Sequence, residues 1–433
     1  MDFINSWHGN NCIALIDEND VEVSYTKLYI DVCNALEEFP SFKSLVFLQV
    51  RNDYASIVSY LACVLAKHPV LLLEADLSLD LISDLNVCYK PNVHISIDGI
   101  QIIHDQKLDL HEELCLLLST SGSTGSPKLV RLSFENVFTN ATAIAEYLGL
   151  SDKDSAITTL PMSYSFGLSI INSHLLSGVN ASIVLSNHSV VSREFWEIVN
   201  RHQVSSFSGV PYLFQILKKM KYDRFDTSSI RYLTQAGGRL DSETTQYFSN
   251  MCKDRKQDFI VMYGQTEAAP RISYLPSAML DHKLGSIGIP IPNGRLKIVD
   301  VDGLDVLDAD VVGEIVYQGP NVMMGYAQVV SDLALPCGTN GTLSTGDLGF
   351  FDADGYFFVT GRLKRFIKVY GLRVGLDEIE NWLLKSDVES AATGFDDNLL
   401  VYILDSTVNI DLLKTKIATE FKFNIRAISV SLI

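Results

Sequence analysis

Short apolar runs alternate with amphipathic stretches over roughly the first 280 residues, and this alternation restricts the possible fold more than any other feature. The apolar runs predict buried strands, and the stretches between them predict helices. Two helices are expected at Tyr54–Lys67 and Phe134–Leu148, the second with Ser133 as N-cap and Gly149 at its end. Strand and helix in alternation imply an α/β fold with mostly parallel sheets and flanking helices. The strands are expected at Leu45–Val50, Val70–Leu73, Leu114–Leu118, Ser182–Leu185, Ser205–Ser208, Tyr232–Gln235 and Phe259–Met262.

Beyond about residue 285 the pattern changes to shorter β-like runs separated by glycine and Asp-Gly pairs. Such runs occur at Leu296–Val299 and Glu314–Tyr317. Asp354-Gly355 predicts a hairpin between Phe350–Phe351 and Tyr356–Val359. We expect this section to form an antiparallel β element packed on the sheets.

The tail from Arg365 to Ile433 returns to a mixed pattern. Its order is a strand, a helix at Leu376–Leu384, two strands, a helix at Asp411–Phe421 and a last strand. This pattern predicts a small α+β unit. The chain is therefore expected to end in a separate small unit that begins at about Arg365.

Composition and charge exclude several classes of protein. The net charge of −18 at pH 7 makes a nucleic acid or an anionic membrane surface an unlikely partner. The seven scattered cysteines contain no C-x-x-C pair, which argues against a disulfide framework or a zinc site. The most apolar stretch, Ile57–Leu73, is interrupted by Lys67, His68 and Pro69, so no membrane span is expected. With no secretion signal at the N-terminus, the expected compartment is the cytoplasm.

A polar loop from Ser119 to Lys128 (STSGSTGSPK) follows a predicted strand. Glycines let a backbone approach an anion closely, and amides and hydroxyls can donate to phosphate oxygens. The terminal lysine adds a compact positive charge. The spacing G-x-x-G-x-x-K differs from that of a Walker loop. Gly/Ser-rich loops also occur as plain linkers, but the preceding strand and the lysine favour phosphate binding.

The loop resembles the signature loop of the adenylate-forming superfamily, which includes acyl- and aryl-CoA synthetases, peptide-synthetase adenylation domains and luciferases. The resemblance runs from about residue 45 to the end of the sequence. It implies a large AMP-binding domain (1–363), a small C-terminal lid (364–433) with its hinge at Lys364, and the use of ATP and Mg²⁺. Further segments resemble family motifs in the family's order: Tyr263-Gly264-Gln265-Thr266-Glu267, Thr345-Gly346-Asp347, Gly361-Arg362-Leu363-Lys364, Gly371-Leu372-Arg373-Val374 and Glu378-Ile379-Glu380.

The resemblance also implies roles for single residues. Glu267 would be the Mg²⁺ ligand and Thr266 would bond the α-phosphate, both as catalytic residues. Lys368, the third catalytic candidate, would line the thiol tunnel, although lysines there are equally typical of a solvated β edge. Gly237-Gly238-Arg239 resembles the family's adenine loop, in which glycines admit close approach of the base, although Gly-Gly also marks ordinary turns. The residues implied to bind ATP are Thr120, Ser121, Gly122, Ser123, Thr124, Gly125, Lys128, Gly237, Gly238, Arg239, Tyr263, Gly264, Gln265, Thr266, Asp347 and Arg362.

Departures from the family pattern bear on the substrate. Tyr164 stands where many acyl-CoA synthetases carry a histidine near the acyl pocket. The segment Met162–Ser169 has no acidic residue to hold a substrate amine, so a plain carboxylic acid is favoured over an α-amino acid. The residues predicted to line the acyl pocket are Tyr164, Phe166, Ser169, Ser208 and Gly237.

Family members usually carry an essential lysine in a G-K pair after the last strand. The present sequence ends at Ser431-Leu432-Ile433, about where the turn before that pair is expected. That lysine stabilises transition-state charge during adenylation. A truncated chain, a shortened lid and a lysine supplied from elsewhere remain open as explanations.

The function predicted from the sequence is that of an AMP-forming acid:thiol ligase. It would adenylate a carboxylic acid and pass the acyl group to coenzyme A or to the phosphopantetheine of an acyl or peptidyl carrier protein. Two alternatives are a stand-alone amino-acid adenylation protein and a catalytically weakened protein that binds a nucleotide or an acyl-adenylate.

Overall fold

The structure is a computed structural model that describes residues 2–119, 128–363, 366–369, 372–384, 386–395, 398–421 and 424–433. Backbone contacts divide the chain into two compact units. Unit 1 comprises Met1–Arg295 and Tyr317–Leu343, and unit 2 comprises Leu296–Val316 and Ser344–Ile433. The expected domain boundary at Lys364 stays a prediction, because that residue lies outside the described ranges.

The helices and strands are numbered here in chain order, within the described residues. The α-helices are α1 (Asp2–Asn5), α2 (Tyr25–Leu36), α3 (Tyr54–Leu65), α4 (Leu79–Tyr89), α5 (Phe134–Leu148), α6 (Ser165–Leu175), α7 (Arg193–Arg201), α8 (Pro211–Lys219), α9 (Ser242–Asp254), α10 (Leu376–Leu384) and α11 (Ile410–Glu420). The first strands are β1 (Ile13–Ile16), β2 (Glu22–Ser24), β3 (Val46–Val50), β4 (Val70–Glu74), β5 (Val93–Ser96), β6 (Gly99–Ile102), β7 (Leu114–Ser119), β8 (Leu129–Ser133), β9 (Ser155–Ile157), β10 (Ser182–Val184), β11 (Ser206–Gly209), β12 (Tyr232–Gln235) and β13 (Asp258–Gly264). The remaining strands are β14 (Arg271–Leu275), β15 (Ile289–Pro290), β16 (Arg295–Val299), β17 (Asp305–Val306), β18 (Gly313–Gln318), β19 (Gly325–Ala327), β20 (Thr342–Phe351), β21 (Phe357–Arg362), β22 (Phe366–Val369), β23 (Leu372–Gly375), β24 (Ser390–Phe395), β25 (Asn398–Ile403) and β26 (Ile428–Leu432).

Unit 1 contains two large sheets. One has the strand order β15-β14-β13-β12-β11-β9-β10-β1-β2, and the other has the order β19-β8-β7-β4-β3-β5-β6. The inner strands of both sheets pair in parallel, whereas the outer pairs β13–β14, β1–β2, β7–β8 and β5–β6 are antiparallel. The predicted α/β fold with mostly parallel sheets and flanking helices is confirmed.

Both faces of the second sheet are buried, as its continuous apolar strands predict. On β3, Val46 and Leu48 face one hydrophobic cluster that includes side chains of α2, α3 and α6. Phe47, between them, faces a second cluster with α4 residues such as Leu85 and Tyr89. Successive side chains of a strand point to opposite faces, so a run without polar residues requires a cover on each side.

Helix α5 has the expected bounds and the expected signals at both ends. The Ser133 hydroxyl accepts a hydrogen bond from the amide of Asn136, whose side chain accepts in return from the amide of Ser133. At the other end Gly149 has a φ of 58°, the left-handed conformation that glycine adopts at low cost. These local contacts explain why the sequence predicted this helix so well.

Replacing Ser133 by alanine is expected to lower the free energy of unfolding by about 1 kcal/mol, because the Asn136 amide loses its acceptor. Chemical denaturation of the purified protein measures the difference. Thr142→Ala, on the exposed side of the same helix, is the matched control and should change stability by less than about 0.5 kcal/mol. Equal losses in the two variants would contradict a capping role for Ser133.

Unit 2 contains the predicted antiparallel element and the predicted α+β tail. The element is the sheet β17-β16-β18-β20-β21, in which β20 and β21 form the hairpin expected around Asp354-Gly355. The tail contains α10, α11 and a sheet of order β24-β25-β26. One detail was wrong: a hairpin of two strands, β22 and β23, precedes α10 where a single strand was expected. Each of these strands has only four residues, too few for the apolar pattern to separate them.

No helix in the described part of the chain combines the length and the apolar character that crossing a membrane requires.

Candidate active site

The polar loop predicted to bind phosphate connects β7 to β8. The two strands pair antiparallel with Ser119 opposite Leu129, so the two ends of the loop lie side by side where these strands end. The loop itself, residues 120–127, lies outside the described residues. Six predicted ATP-binding residues belong to that range: Thr120, Ser121, Gly122, Ser123, Thr124 and Gly125.

Lys128, at the end of the loop, contacts an aromatic ring. Its ammonium nitrogen Nζ lies 3.4 Å from the centre of the Tyr326 ring. Tyr326 is on β19, which pairs with β8 so that Tyr326 lies opposite Val130. The Tyr326 hydroxyl donates a hydrogen bond of 2.8 Å to Oε1 of Glu267. Two predicted site residues, Lys128 and Glu267, are thus joined through one tyrosine.

The charge state of Tyr326 suits this position. Burial raises the pKa of its hydroxyl above the usual range, and the neighbouring carboxylate of Glu267 raises the pKa further. The hydroxyl therefore stays protonated at neutral pH and remains a donor. The ring face of Tyr326 stabilises the lysine cation, and its hydroxyl stabilises the carboxylate of Glu267. No motif in the sequence pointed to Tyr326, because only the pairing of β19 with β8 brings it to the site.

The segment carrying Glu267 is a tight turn between β13 and β14. Gly264 pairs with Arg271 at a bulge, and a Cβ atom on Gly264 would lie 2.0 Å from the carbonyl oxygen of Pro270. Only glycine tolerates so close an approach of the two strands. The Gln265 amide donates to the Pro270 carbonyl, and the Gln265 side chain donates to the Tyr263 hydroxyl at 3.2 Å. This turn projects Thr266 and Glu267 from the end of the sheet.

Thr266 lies against the start of α6. Its Oγ1 is 3.2 Å from Oγ of Ser165, the first residue of that helix. The backbone carbonyl of Glu267 accepts from the amide of Met323, which precedes β19. Helix α6, the β13–β14 turn and the segment before β19 therefore converge at Thr266 and Glu267.

Four of the five residues predicted to line the acyl pocket lie together. A Cβ atom on Gly237 would be 2.8 Å from the Tyr164 hydroxyl and 3.9 Å from the Phe166 ring. The Ser169 hydroxyl donates to the Phe166 carbonyl at 2.7 Å. Ser208 instead shares a 2.6 Å hydrogen bond with Thr234 on the neighbouring strand.

The glycine-containing segment after β12 is exposed. Gly237 has a φ of 81°, and both Gly238 and Arg239 are accessible to solvent. The side-chain amide of Gln235 donates to the Gly238 carbonyl at 2.9 Å and so holds the turn at the end of its strand. An open backbone here is compatible with the predicted approach of a nucleotide base, a role that stays a prediction.

Arg271 is a second residue that sequence reasoning missed. Its side chain is buried, with its guanidinium carbon 4.0 Å from the centre of the Phe166 ring. Nη2 donates to Oγ of Ser169 at 3.1 Å. Burial lowers the pKa of Arg271 below its usual value, and nearby tyrosine hydroxyls partly oppose that change. An arginine at the start of a strand is common, so no sequence signal could have identified it.

In unit 2 the structure brings Asp347 and Arg362 together. They lie opposite each other on β20 and β21, and Nε of Arg362 is 2.9 Å from Oδ1 of Asp347. The Asp347 carboxylate is buried, whereas Arg362 is largely exposed. Both were predicted to bind ATP, and that role stays a prediction. Lys364 lies outside the described residues, and Lys368 is described only as backbone of β22, opposite Arg373.

The donor set at Glu267 suits magnesium held with a nucleotide. Within the described ranges, no cluster of three or more histidine, cysteine or acidic side chains could hold a metal ion by itself. Mg²⁺ in nucleotide sites commonly takes one or two carboxylates and obtains its other ligands from phosphate oxygens and water. The single partly exposed carboxylate of Glu267 fits that arrangement.

The amino-acid sequence of this chain is similar to those of known AMP-binding enzymes. The family model described as AMP-binding enzyme matches residues 91–327, which is more than half of the chain. A probable 4-coumarate–CoA ligase of Dictyostelium discoideum is 31% identical over 64% of this chain and 50% of its own length. A sulfoacetate–CoA ligase of Cupriavidus necator is 31% identical over 65% of this chain and 54% of its own length. The chain spans about half the length of the curated relatives it matches.

Solved structures show the same fold along the whole chain. The O-succinylbenzoate coenzyme A synthetase of Bacillus subtilis in complex with AMP aligns with a TM-score of 0.80 and 24% identity. The alignment covers 100% of this chain and 94% of the other. The same Bacillus enzyme in complex with ATP and a magnesium ion gives a TM-score of 0.76 at 24% identity, covering 100% of this chain and 95% of the other.

Proposed function

Because the chain belongs to the family of AMP-binding enzymes, we propose that it is an AMP-forming ligase that joins a carboxylic acid to a thiol. In the first step a carboxylate oxygen attacks the α-phosphorus of ATP, and pyrophosphate leaves. In the second step a thiol attacks the acyl-adenylate, and AMP leaves. The thiol is that of coenzyme A or of a carrier-protein phosphopantetheine. The observation that carries the proposal is the contact line from Lys128 through Tyr326 to Glu267.

This contact line provides both charges that adenylation needs. Lys128 follows the polar loop and places a cation where the pyrophosphate end of ATP would lie. Glu267 supplies the carboxylate that would hold Mg²⁺, whose chemistry is to neutralise phosphate charge. Tyr326 separates the two side chains, so the lysine does not neutralise the carboxylate by direct pairing. The cation and the anion both remain available to the nucleotide.

Two further pairs of side chains, one in each unit, would position the reacting groups. The Thr266 hydroxyl would donate to an α-phosphate oxygen, with Ser165 fixing its rotamer. Asp347 would accept from the ribose hydroxyls, with Arg362 orienting its carboxylate. Reacting groups held in this way lose little further freedom in the transition state. We retain Lys364 as the hinge of a lid formed by residues 364–433, and Lys368 as part of the thiol tunnel in that lid.

The names of the relatives do not identify the acid that this chain would use, because they mention acids as different as 4-coumarate and sulfoacetate. The test is therefore pyrophosphate release by the purified chain with Mg-ATP and a panel of aliphatic, aromatic and amino acids. We expect release with one class of acid in the absence of any thiol. AMP and an acyl thioester should then appear when coenzyme A is added.

Release with α-amino acids only would replace this proposal by the stand-alone amino-acid adenylation protein. Formation of ADP and phosphate would contradict it outright, because that product belongs to acyl-phosphate chemistry. The control variant is Arg193→Met. Arg193 has an exposed side chain that pairs with Glu197, so this change should leave pyrophosphate release unchanged.

A further inference from the structure

Arg271 is a buried cation whose partners do not neutralise its charge. Its side chain is 3% exposed. Nη2 donates to the Ser169 hydroxyl at 3.1 Å and Nη1 lies 3.2 Å from the sulfur of Met262. Nε has no hydrogen-bond partner among the residues that the structure describes. A guanidinium carries five N–H donors, so one hydroxyl and one weak thioether acceptor leave most of them unused.

Two other arginines in unit 1, the buried Arg131 and the partly exposed Arg231, are held differently. Arg131, whose Nε also has no partner among the described residues, still donates to three main-chain carbonyls, those of Leu335, Met324 and Pro336. Arg231 forms an ion pair with the buried carboxylate of Asp154 at 2.8 Å. In the described part of the chain, no acidic side chain lies within ion-pair distance of Arg271. A charged group taken out of water without an anion or a full set of acceptors is strongly destabilising. An anion that accepted hydrogen bonds from the unused N–H groups would compensate the buried charge of Arg271.

The surroundings of Arg271 belong to the predicted acyl pocket. The guanidinium stacks on Phe166 and bonds Ser169, both on α6. Tyr164, at the exposed edge of the same group, lies next to Gly237. One turn earlier on α6, Ser165 contacts Thr266, the residue proposed to bond the α-phosphate. Ser165 and Ser169 are four positions apart on the helix, a rise of about 6 Å. The adenylation end of the site and the buried cation are thus about one helical turn apart along α6.

We propose that the acid activated by this protein carries a second carboxylate, and that Arg271 binds that carboxylate. The planar fork of a guanidinium matches a carboxylate in bidentate geometry, and Nε with the remaining Nη hydrogens supplies the donors. The short distance along α6 suits a compact dicarboxylic acid. This inference rests on the proposed function, because it names the class of acid that the same site would take.

The test compares dicarboxylic acids with their own monoamides. Malonate, succinate, glutarate and adipate are each paired with the monoamide, which keeps the shape and removes the second charge. Pyrophosphate release by the full chain is measured with Mg-ATP. For at least one pair, kcat/KM should be about 100-fold higher for the dicarboxylate, because the monoamide leaves the guanidinium without an anion. Arg271→Met should abolish that preference while release with the monoamide persists, and Arg193→Met should retain the preference.

A second arm uses binding instead of turnover. The same dicarboxylate should raise the melting temperature of the wild-type protein and of Arg193→Met, but not that of Arg271→Met. If Arg271→Met fails to fold, Arg271→Lys keeps the buried charge without the fork and should reduce the preference by about tenfold.

The outcomes separate this inference from the proposed function. Thermal stabilisation that depends on Arg271, without pyrophosphate release by any acid, would support the carboxylate site and contradict the ligase. Release with no preference for any dicarboxylate, or a loss in Arg271→Met that is equal for both members of a pair, would overturn the role of Arg271 and leave the ligase standing. Absence of both release and stabilisation would overturn both.

Discussion

Replacing Glu267 by glutamine is expected to lower kcat/KM for ATP in pyrophosphate release by about 1000-fold. The change removes one negative charge and keeps the shape of the side chain. A preorganised charge at a phosphoryl-transfer site is typically worth about 100- to 1000-fold in rate, and a metal ligand belongs at the upper end. The amide oxygen can still accept the hydrogen bond from Tyr326, so the local geometry persists. Initial rates at several Mg²⁺ concentrations measure the effect, and the variant should need more Mg²⁺ for half-maximal rate.

Two controls make this prediction specific to the charge. Tyr326→Phe removes the donor and keeps the carboxylate, so its loss should be only about tenfold. The melting temperature of Glu267→Gln should match that of the wild type, because Glu267 is only partly buried. A Glu267→Gln variant with wild-type rates and an unchanged Mg²⁺ requirement would show that the metal ligand lies elsewhere.

The second large effect concerns stability. Arg231→Met is expected to lower the free energy of unfolding by about 2 kcal/mol, because the buried carboxylate of Asp154 loses the hydrogen bond from its partly exposed cation. Arg231 also donates to the Leu148 carbonyl, in the last turn of α5, at 3.0 Å. The variant therefore loses a helix-end contact as well. Arg193→Met removes an exposed ion pair with Glu197 and should cost less than about 0.5 kcal/mol.

The stability loss in Arg231→Met should depend on pH. Burial raises the pKa of Asp154, but hydrogen bonds from Arg231 and Ser151 outweigh it and hold the pKa below its usual value. A carboxylate with a lowered folded-state pKa contributes stability above its unfolded pKa of about 3.9, and that contribution is lost as the pH falls through the folded pKa. The difference between wild type and variant should be full at neutral pH and shrink below about pH 4. Urea unfolding from pH 3 to pH 7 measures it; a difference independent of pH would assign the loss to the α5 contact alone.

Several parts of the fold were predictable because their signals are local. Helix α5 was predicted to the residue, since its N-cap and its terminal glycine act on the adjacent backbone. Strand β12 also has its predicted bounds at Tyr232–Gln235. The hairpin at Asp354-Gly355 follows from a two-residue turn signal between apolar runs. Such features depend on residues within a few positions of each other, and a sequence displays those directly.

The site was predictable only in its motif residues. The pattern from Tyr263 to Glu267 and the loop ending at Lys128 identified groups whose chemistry suits a nucleotide. The structure brings Lys128 near Glu267 and Asp347 near Arg362, while six loop residues and Lys364 lie outside the described ranges. The roles of all these residues stay predictions, and the Glu267→Gln variant tests one of them.

The sequence by itself determined the α/β class, the bounds of elements such as α5 and β12, and the family, because periodicity and motifs are properties of neighbouring residues. The tertiary structure alone decided that Tyr326 joins Lys128 to Glu267 and that Arg271 lies buried on Phe166. Tyr326 reaches its position through the pairing of β19 with β8, and Arg271 through the packing of β14 against α6. The physical reason is that burial and charge pairing depend on which distant segments meet. A single tyrosine or arginine in a sequence carries no record of that meeting.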